Sequence, residues 1–280
     1  MTSSNRSTAR IFIAAAALLG LVACQDAVTS PQVVGPQYAK GGGGTPGGPI
    51  DITACGTVIS APGKYRVAAD IACVGDGDGI TIASSNVTLH FGGHTLSSSG
   101  ASSGTGLSVL KADNVSILGP GTVEGFPLGG AFGGTTNSRM SGMTFSDNIT
   151  HGFAVNWDFP DLTQRSENNQ FYDNVFRDNG GQGLTMNGGD NNKFRGNLAS
   201  GNNGYGFYMY DAVGNDYQGN TSDGNVAGFY TLDPSGSANL IQANEASGNS
   251  EFDGAEDGGG CLNTWKSNNF GTVSDPVCIH

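Results

Sequence analysis

The chain has 280 residues, 47 of them Gly, with 13% charged side chains and 12 Lys and Arg against 24 Asp and Glu. A net charge of −12 has the wrong sign for a phosphate backbone or an anionic lipid surface. It excludes nucleic acid as a partner and leaves the membrane only through an anchor.

Residues 1–23 read as an export signal, with Arg6 and Arg10 ahead of a short apolar run from Ile11 to Val22. The run is too short to span a bilayer comfortably and is set apart from the fold. Leu21-Val-Ala-Cys24 resembles the bacterial lipobox. That resemblance implies cleavage before Cys24, lipidation of Cys24 and export to the cell envelope. Gln25 in place of Asp implies the outer membrane on the same ground. An ordinary cleaved signal peptide is the alternative. Residues 24–49, rich in Gly, Pro, Thr and Gln, cannot bury a core and form a flexible tether.

The other four cysteines stand in two close pairs, Cys55 with Cys73 and Cys261 with Cys278. An even count in an exported chain favours disulfides. A metal site is the alternative, yet there is no Cys-x-x-Cys pair and no His at ligand spacing beside them. Residues 50–78, with a short alternating pattern, are expected to form a stapled N-terminal cap that covers the first open strand edge. Residues 79–260 form the periodic body, and residues 261–280 the last coil and a stapled C-terminal cap.

The body alternates at period two, as in residues 79–82 and 86–91, and the pairing recurs at 106–109 and 114–117. From Asn169 on, the repeat becomes strict. Asn169-Gln-Phe-Tyr-Asp-Asn174 returns at Asn192, Asn215, Asn239 and Asn263, at intervals of 23, 23, 24 and 24 residues. A third asparagine recurs at Asn179, Asn202, Asn225 and Asn249. Fourteen Phe and a fixed period argue against disorder. A period of this length with three short strands and Gly or Asn at the corners describes a solenoid. The predicted fold is all-β, a right-handed parallel β-helix of roughly eight coils.

Asn86-Val-Thr-Leu-His-Phe-Gly-Gly-His-Thr-Leu96 resembles the early-coil pattern of the pectate-lyase-like β-helix repeat family, and the likeness extends over about residues 79–270. His90 stands where such patterns often carry Asp. The resemblance implies the fold and little chemistry, because that superfamily holds lyases, hydrolases, epimerases, adhesins and proteins of no known activity. The Gly-His-Gly and paired-Asp signatures of its polygalacturonases are missing here. His90 and His94 flank a Gly-Gly turn, a weak arrangement for a metal.

The asparagines are expected at tight corners, where Asn tolerates left-handed backbone, stacked into ladders. Phe171, Phe194, Tyr217, Ile241 and Trp265 are expected to stack inside. Aligning coils on Gly152, Gly183, Gly206 and Gly228 places Phe153, Leu184, Phe207 and Phe229 inward. Two outward rows follow, Ala154, Thr185, Tyr208, Tyr230 and Asn156, Asn187, Tyr210, Leu232, with neighbours about 4.8 Å apart. Tyr208, Tyr210 and Tyr230 beside Asn156 and Asn187 form a strip suited to sugar rings, which offer apolar faces and many hydroxyls. Exposed strands that simply carry Tyr are the alternative. Asp211 and Asp233 border the strip in one row. They are read as substrate-binding carboxylates, as a pair for Ca²⁺ or acid–base work, or as ordinary turn residues.

One coil, from Gly152 to Gly183, is 31 residues long, with its excess near residues 158–167. A catalytic centre, if present, is expected there, built from His151, Asp158 and Arg165. The functional expectation is a monomeric, envelope-tethered β-helix that binds or processes polysaccharide. A polysaccharide lyase or glycoside hydrolase and a structural or adhesive surface protein are the alternatives, and Ca²⁺ is the only cofactor in view.

Overall fold

The computed structural model describes residues 32–34, 47–156, 163–232, 238–258 and 260–279. The predicted signal, the predicted lipidation site Cys24 and most of the predicted tether lie outside them. Among the described residues every regular element is a strand.

Strands of successive coils pair in parallel and build three long faces. The first face runs from Gln32–Val34 through Thr57–Ile59, Ile80–Ile82, Thr105–Leu110, Leu128–Gly133 and Phe153–Asn156. It continues through Leu184–Asn187, Phe207–Tyr210 and Ala227–Leu232 to Phe252–Asp257. The second face starts at Ile50–Ile52 and ends at Thr264–Lys266, and the third runs from Ile71–Val74 to Asn269–Phe270. Ser116–Glu124 and Arg139–Ser146 pass from second to third face without a break, and their register shifts between Leu118 and Gly121 at the bend. From Thr57–Ile59 to Phe252–Asp257 the first face counts nine coils. This is the predicted right-handed parallel β-helix.

Residues 50–78 cover the start of the solenoid as a coil of the same kind, with Thr57–Ile59 in register with Ile80–Ile82. Gln32–Val34 lies against Thr57–Ile59 and satisfies its outer edge. Both predicted disulfides form, Cys55–Cys73 with Cα atoms 5.4 Å apart and Cys261–Cys278 at 5.0 Å.

Alternation sends every second side chain inward. Phe153, Leu184, Phe207 and Phe229 are fully buried, as read from the sequence. On the second face Phe171 and Phe194 stack at 4.7 Å, and Phe194 and Tyr217 at 4.3 Å, nearly parallel. The glycines that open the first-face strands are there because the coils are close. A Cβ on Gly183 would lie 2.8 Å from the carbonyl oxygen of Gly206, and one on Gly228 would lie 2.4 Å from that of Asp253.

Each asparagine ladder is buried and hydrogen-bonded in both directions. The Asn192 main-chain N–H and side-chain amide both donate to Oδ1 of Asn215, at 2.9 and 3.1 Å. The third ladder begins one coil earlier than the repeat suggests, at Asn148, which donates to Asn179. The corner geometry differs from expectation. The ladder asparagines keep ordinary backbone, and the left-handed conformation falls on the residue before most of them, including Asn168, Asn191 and Gly214, and Asp173, Gly196 and Gly219. A left-handed residue turns the chain, and this frees the following Asn to point inward and bond along the stack.

Two of the three ladders end on carboxylates. The N–H of Asn263, last in its ladder, donates to Oε1 of Glu256 at 3.1 Å, and Trp265 Nε1 donates to the other oxygen. Asn249, last in another, donates its side-chain amide to Asp253 at 2.7 Å.

Candidate functional site

The predicted outward rows lie on the first face in the predicted register. Ala154 pairs with Thr185, Thr185 with Tyr208 and Tyr208 with Tyr230, while Asn156 pairs with Asn187, Asn187 with Tyr210 and Tyr210 with Leu232. Asn187 is exposed, and Asn156, Tyr208, Tyr210 and Tyr230 are half-buried. Ala154 has outward parity but is only 2% exposed, so the strip begins at Thr185.

The tyrosines gather with a partner that strand alternation does not reveal. Tyr205, in the turn before Gly206, stacks on Tyr230 at 4.4 Å and 4°. Tyr208 leans on both, with centroids 5.5 Å from Tyr205 and 5.8 Å from Tyr230. Tyr205 falls in the row of His151, Gln182, Ala227 and Phe252, one step outside the rows read from the strands. Ala227 is small and buried, so the Tyr230 ring from its own coil lies over that position. Phe252 extends the row as a partly exposed ring one coil on, 37% accessible.

Polar groups surround the rings. The Tyr230 hydroxyl donates to Oδ2 of Asp257. Burial, then this carboxylate, pushes the Tyr230 pKa well up, so the phenol stays protonated and donating. Oε1 of Gln182 is buried and makes no hydrogen bond among the described residues. His151 accepts at Nδ1 from the Gln182 main-chain N–H, 3.1 Å away, which places the proton of the neutral ring on Nε2. Burial lowers the His151 pKa and keeps that neutral form.

At the far edge of the strip, the long coil is tied down. Ser166 Oγ donates to the carbonyl of Asn156 at 2.7 Å, closing the insertion where it leaves and returns. Ser166–Glu167 then pairs with Gly189–Asp190 in a short parallel ladder. Arg165 Nε lies 2.7 Å from Asp190 Oδ2, and Nη1 lies 3.3 Å from Asp211 Oδ2. The same guanidinium donates to the Asp211 main-chain oxygen. All three side chains are partly buried.

These contacts place the remaining sequence candidates. Asp158 and Asp233 lie outside the described residues. His151 and Arg165 both belong to the first-face edge, one bonded to the backbone of the next coil and the other to two carboxylates. The carboxylates that meet at the strip, Asp190 and Asp211, meet across Arg165. His90 is exposed, and His94 Nδ1 lies 3.2 Å from Asp70 Oδ1 on another side of the solenoid.

Residues 55–273 match the family model described as periplasmic copper-binding protein (NosD). The chain belongs to the NosD family. The match covers the solenoid from the first disulfide to the last coil, so this membership concerns the whole described body. No curated protein matches the sequence significantly. Among solved structures, the chain is similar to the A-module of the Azotobacter vinelandii mannuronan C-5 epimerase AlgE4, at 13% identity and TM-score 0.48 over 77% of this chain and 86% of that one. It is also similar to the enzymatically active domain of bacteriophage CBA120 tailspike protein 2, at 12% and 0.43 over 70% and 38%. A third is the periplasmic alginate epimerase AlgG, at 12% and 0.39 over 78% and 70%. Superposition this loose transfers no chemistry from those proteins to this NosD-family chain.

Proposed function

We propose that this NosD-family protein is exported and binds polysaccharide on its first face. The Tyr205–Tyr208–Tyr230 cluster carries the reading. Half-buried rings held by one another and by the solenoid are preorganised, so little side-chain entropy is lost when a sugar packs against them. Asn187, Asp257, Gln182 and the His151 Nε2–H supply polar partners of both kinds for hydroxyl groups. Two disulfides and the family's periplasmic description support export, and anchoring through Cys24 in the outer membrane extends that reading.

Binding is favoured over lyase or hydrolase chemistry because the two described catalytic candidates are engaged. His151 presents only a donor, and the Arg165 charge is answered by two carboxylates. The test is affinity electrophoresis of the full-length protein in gels containing individual polysaccharides, with Tyr205, Tyr208 and Tyr230 changed to Ala singly and together. The expected result is retardation by at least one polymer that the triple variant loses while its circular dichroism stays native. Undiminished retardation of a folded triple variant would refute the assignment.

The family's description names copper. Copper sites draw on thiolate, thioether and imidazole donors. Here four cysteines are consumed in disulfides, and Met140, Met143, Met186 and Met209 are fully buried in the core. No three His, Cys, Asp or Glu side chains gather among the described residues in a way that could hold a metal. These residues do not fit a copper centre.

A further inference from the structure

We infer that the ligand of the first face is an uncharged polysaccharide and that the face rejects polyuronates. The inference rests on the polysaccharide reading above and adds the charge class of the substrate.

A uronate polymer carries one carboxylate per sugar, so its site needs cations or donors that stay unpaired until it arrives. The described residues beside the tyrosine strip offer the reverse. Asp190, Asp211 and Asp257 border the strip. Asp257 accepts from Tyr230, and among the described cations Arg165 pairs with the other two. Its Nε and Nη1 lie within 3.3 Å of the two carboxylates, and a further N–H bonds the Asp211 carbonyl. A polymer carboxylate would have to displace a partner already in place. The group of three keeps one net negative charge, and Asp257 adds another two coils on, in the row of Tyr210 and Leu232. His151 adds none, because burial holds its imidazole neutral. The background of −12 over the whole chain has the same sign. Like charges brought together across a partly desolvated surface weaken binding.

Hydroxyl groups fit where carboxylates do not. A sugar hydroxyl donates readily to a carboxylate and to the side chain of exposed Asn187. It accepts equally well from His151 Nε2–H. The rings take the apolar face of the pyranose. Acceptors predominate around the strip, as suits a ligand whose surface is covered in O–H donors.

The experiment uses the full-length protein in affinity gels and, for hits, isothermal titration. The panel holds neutral polymers (mannan, xylan, a mixed-linkage β-glucan), polyuronates (alginate, polygalacturonate) and chitosan as a polycation. Each is run at low and high salt, with and without EDTA. The expected result is binding to at least one neutral polymer, unchanged by salt, with both polyuronates weaker by about tenfold or more at low salt. Asp257→Asn should narrow that gap. Polyuronate binding equal to that of the best neutral polymer, with or without divalent cation, would overturn the inference and leave the polysaccharide reading standing. Chitosan as the best ligand, with salt-sensitive affinity, would overturn it too. Failure to bind any polymer, with a native circular dichroism spectrum, would refute both readings.

Discussion

Asn174 donates its main-chain N–H and its side-chain amide to one and the same oxygen, Oδ1 of Asn197, at 3.0 Å each. Asn197 repeats the arrangement onto Asn220 and also donates to the carbonyl of Phe171, at 3.0 Å. Each rung therefore satisfies buried groups above and below itself.

Asn197→Ala removes an acceptor from two donors of Asn174 and a donor from Asn220 and Phe171. Orphaned buried groups cost about 1–3 kcal/mol apiece when relaxation cannot rescue them, so a loss of about 2–4 kcal/mol is expected. Asn203→Ala, at an exposed position one residue past a ladder, should stay within about 0.5 kcal/mol of wild type. Denaturation midpoints for the pair make the comparison, and equal midpoints would show that the ladder contributes nothing.

Arg165→Ala should leave Asp190 and Asp211 facing each other across a partly buried gap. The expected loss is about 1–3 kcal/mol, smaller than for a fully buried pair because water reaches both carboxylates. Adding Asp190→Asn should recover part of it. Hydrogen exchange should localise the first change to residues 163–167 and 207–213. Exchange that rises evenly along the chain would contradict a local clamp.

The folded-state pKa of His151 lies below the ordinary 6.5, through burial first. The unfolded chain therefore takes up the His151 proton at a higher pH than the native one. The stability this group contributes is complete above about 6.5 and falls as pH drops from there toward the folded value. His151→Gln should flatten that part of the stability–pH curve without changing it above pH 7. An unchanged slope would remove His151 as its source.

Each disulfide closes a short loop, with sequence separations of 18 and 17 residues. Loops of that size contribute about 3 kcal/mol each in the chain-entropy model. Coils contact mainly their neighbours, so reduction should loosen the ends before the middle. Exchange protection is expected to fall first at residues 50–74 and 252–279. Simultaneous loss in the central coils would show that the array unfolds as one unit.

Copper titration of the full-length protein is expected to find no stoichiometric site. Tight one-to-one uptake that survives replacement of Cys24 and His280, both outside the described residues, would show that the solenoid itself binds copper.

Most of the scaffold was legible because its cause is local and repeated. The interval between Asn192 and Asn215 fixes the coil length, and alternation after Gly206 fixes which side of the sheet Phe207 and Tyr208 occupy. Less of the site was legible. Tyr205 belongs to a turn, and its stacking on Tyr230 depends on the small Ala227 lying between them in the row. The sequence signal was that row itself, one residue before the aligned glycines, where Tyr205 and Phe252 stand out. The meeting of Arg165 with Asp190 and Asp211 could not be read from spacing. It depends on how the long coil folds back against two later ones. The left-handed corners fall one residue earlier than the asparagine pattern suggests, because Asn is common at such positions and here the residue before it makes the turn.

The carboxylates at the ladder ends have a consequence for how long the molecule is. An asparagine rung offers the next coil the same groups it received, so nothing in the ladder says where to stop. Glu256 and Asp253 accept what the last rungs donate and offer no amide in return. Two of the three ladders are thus closed by acidic side chains, and a copy of residues 198–220 inserted in register ahead of them should lengthen the rod by one strand spacing and leave both ends unaltered.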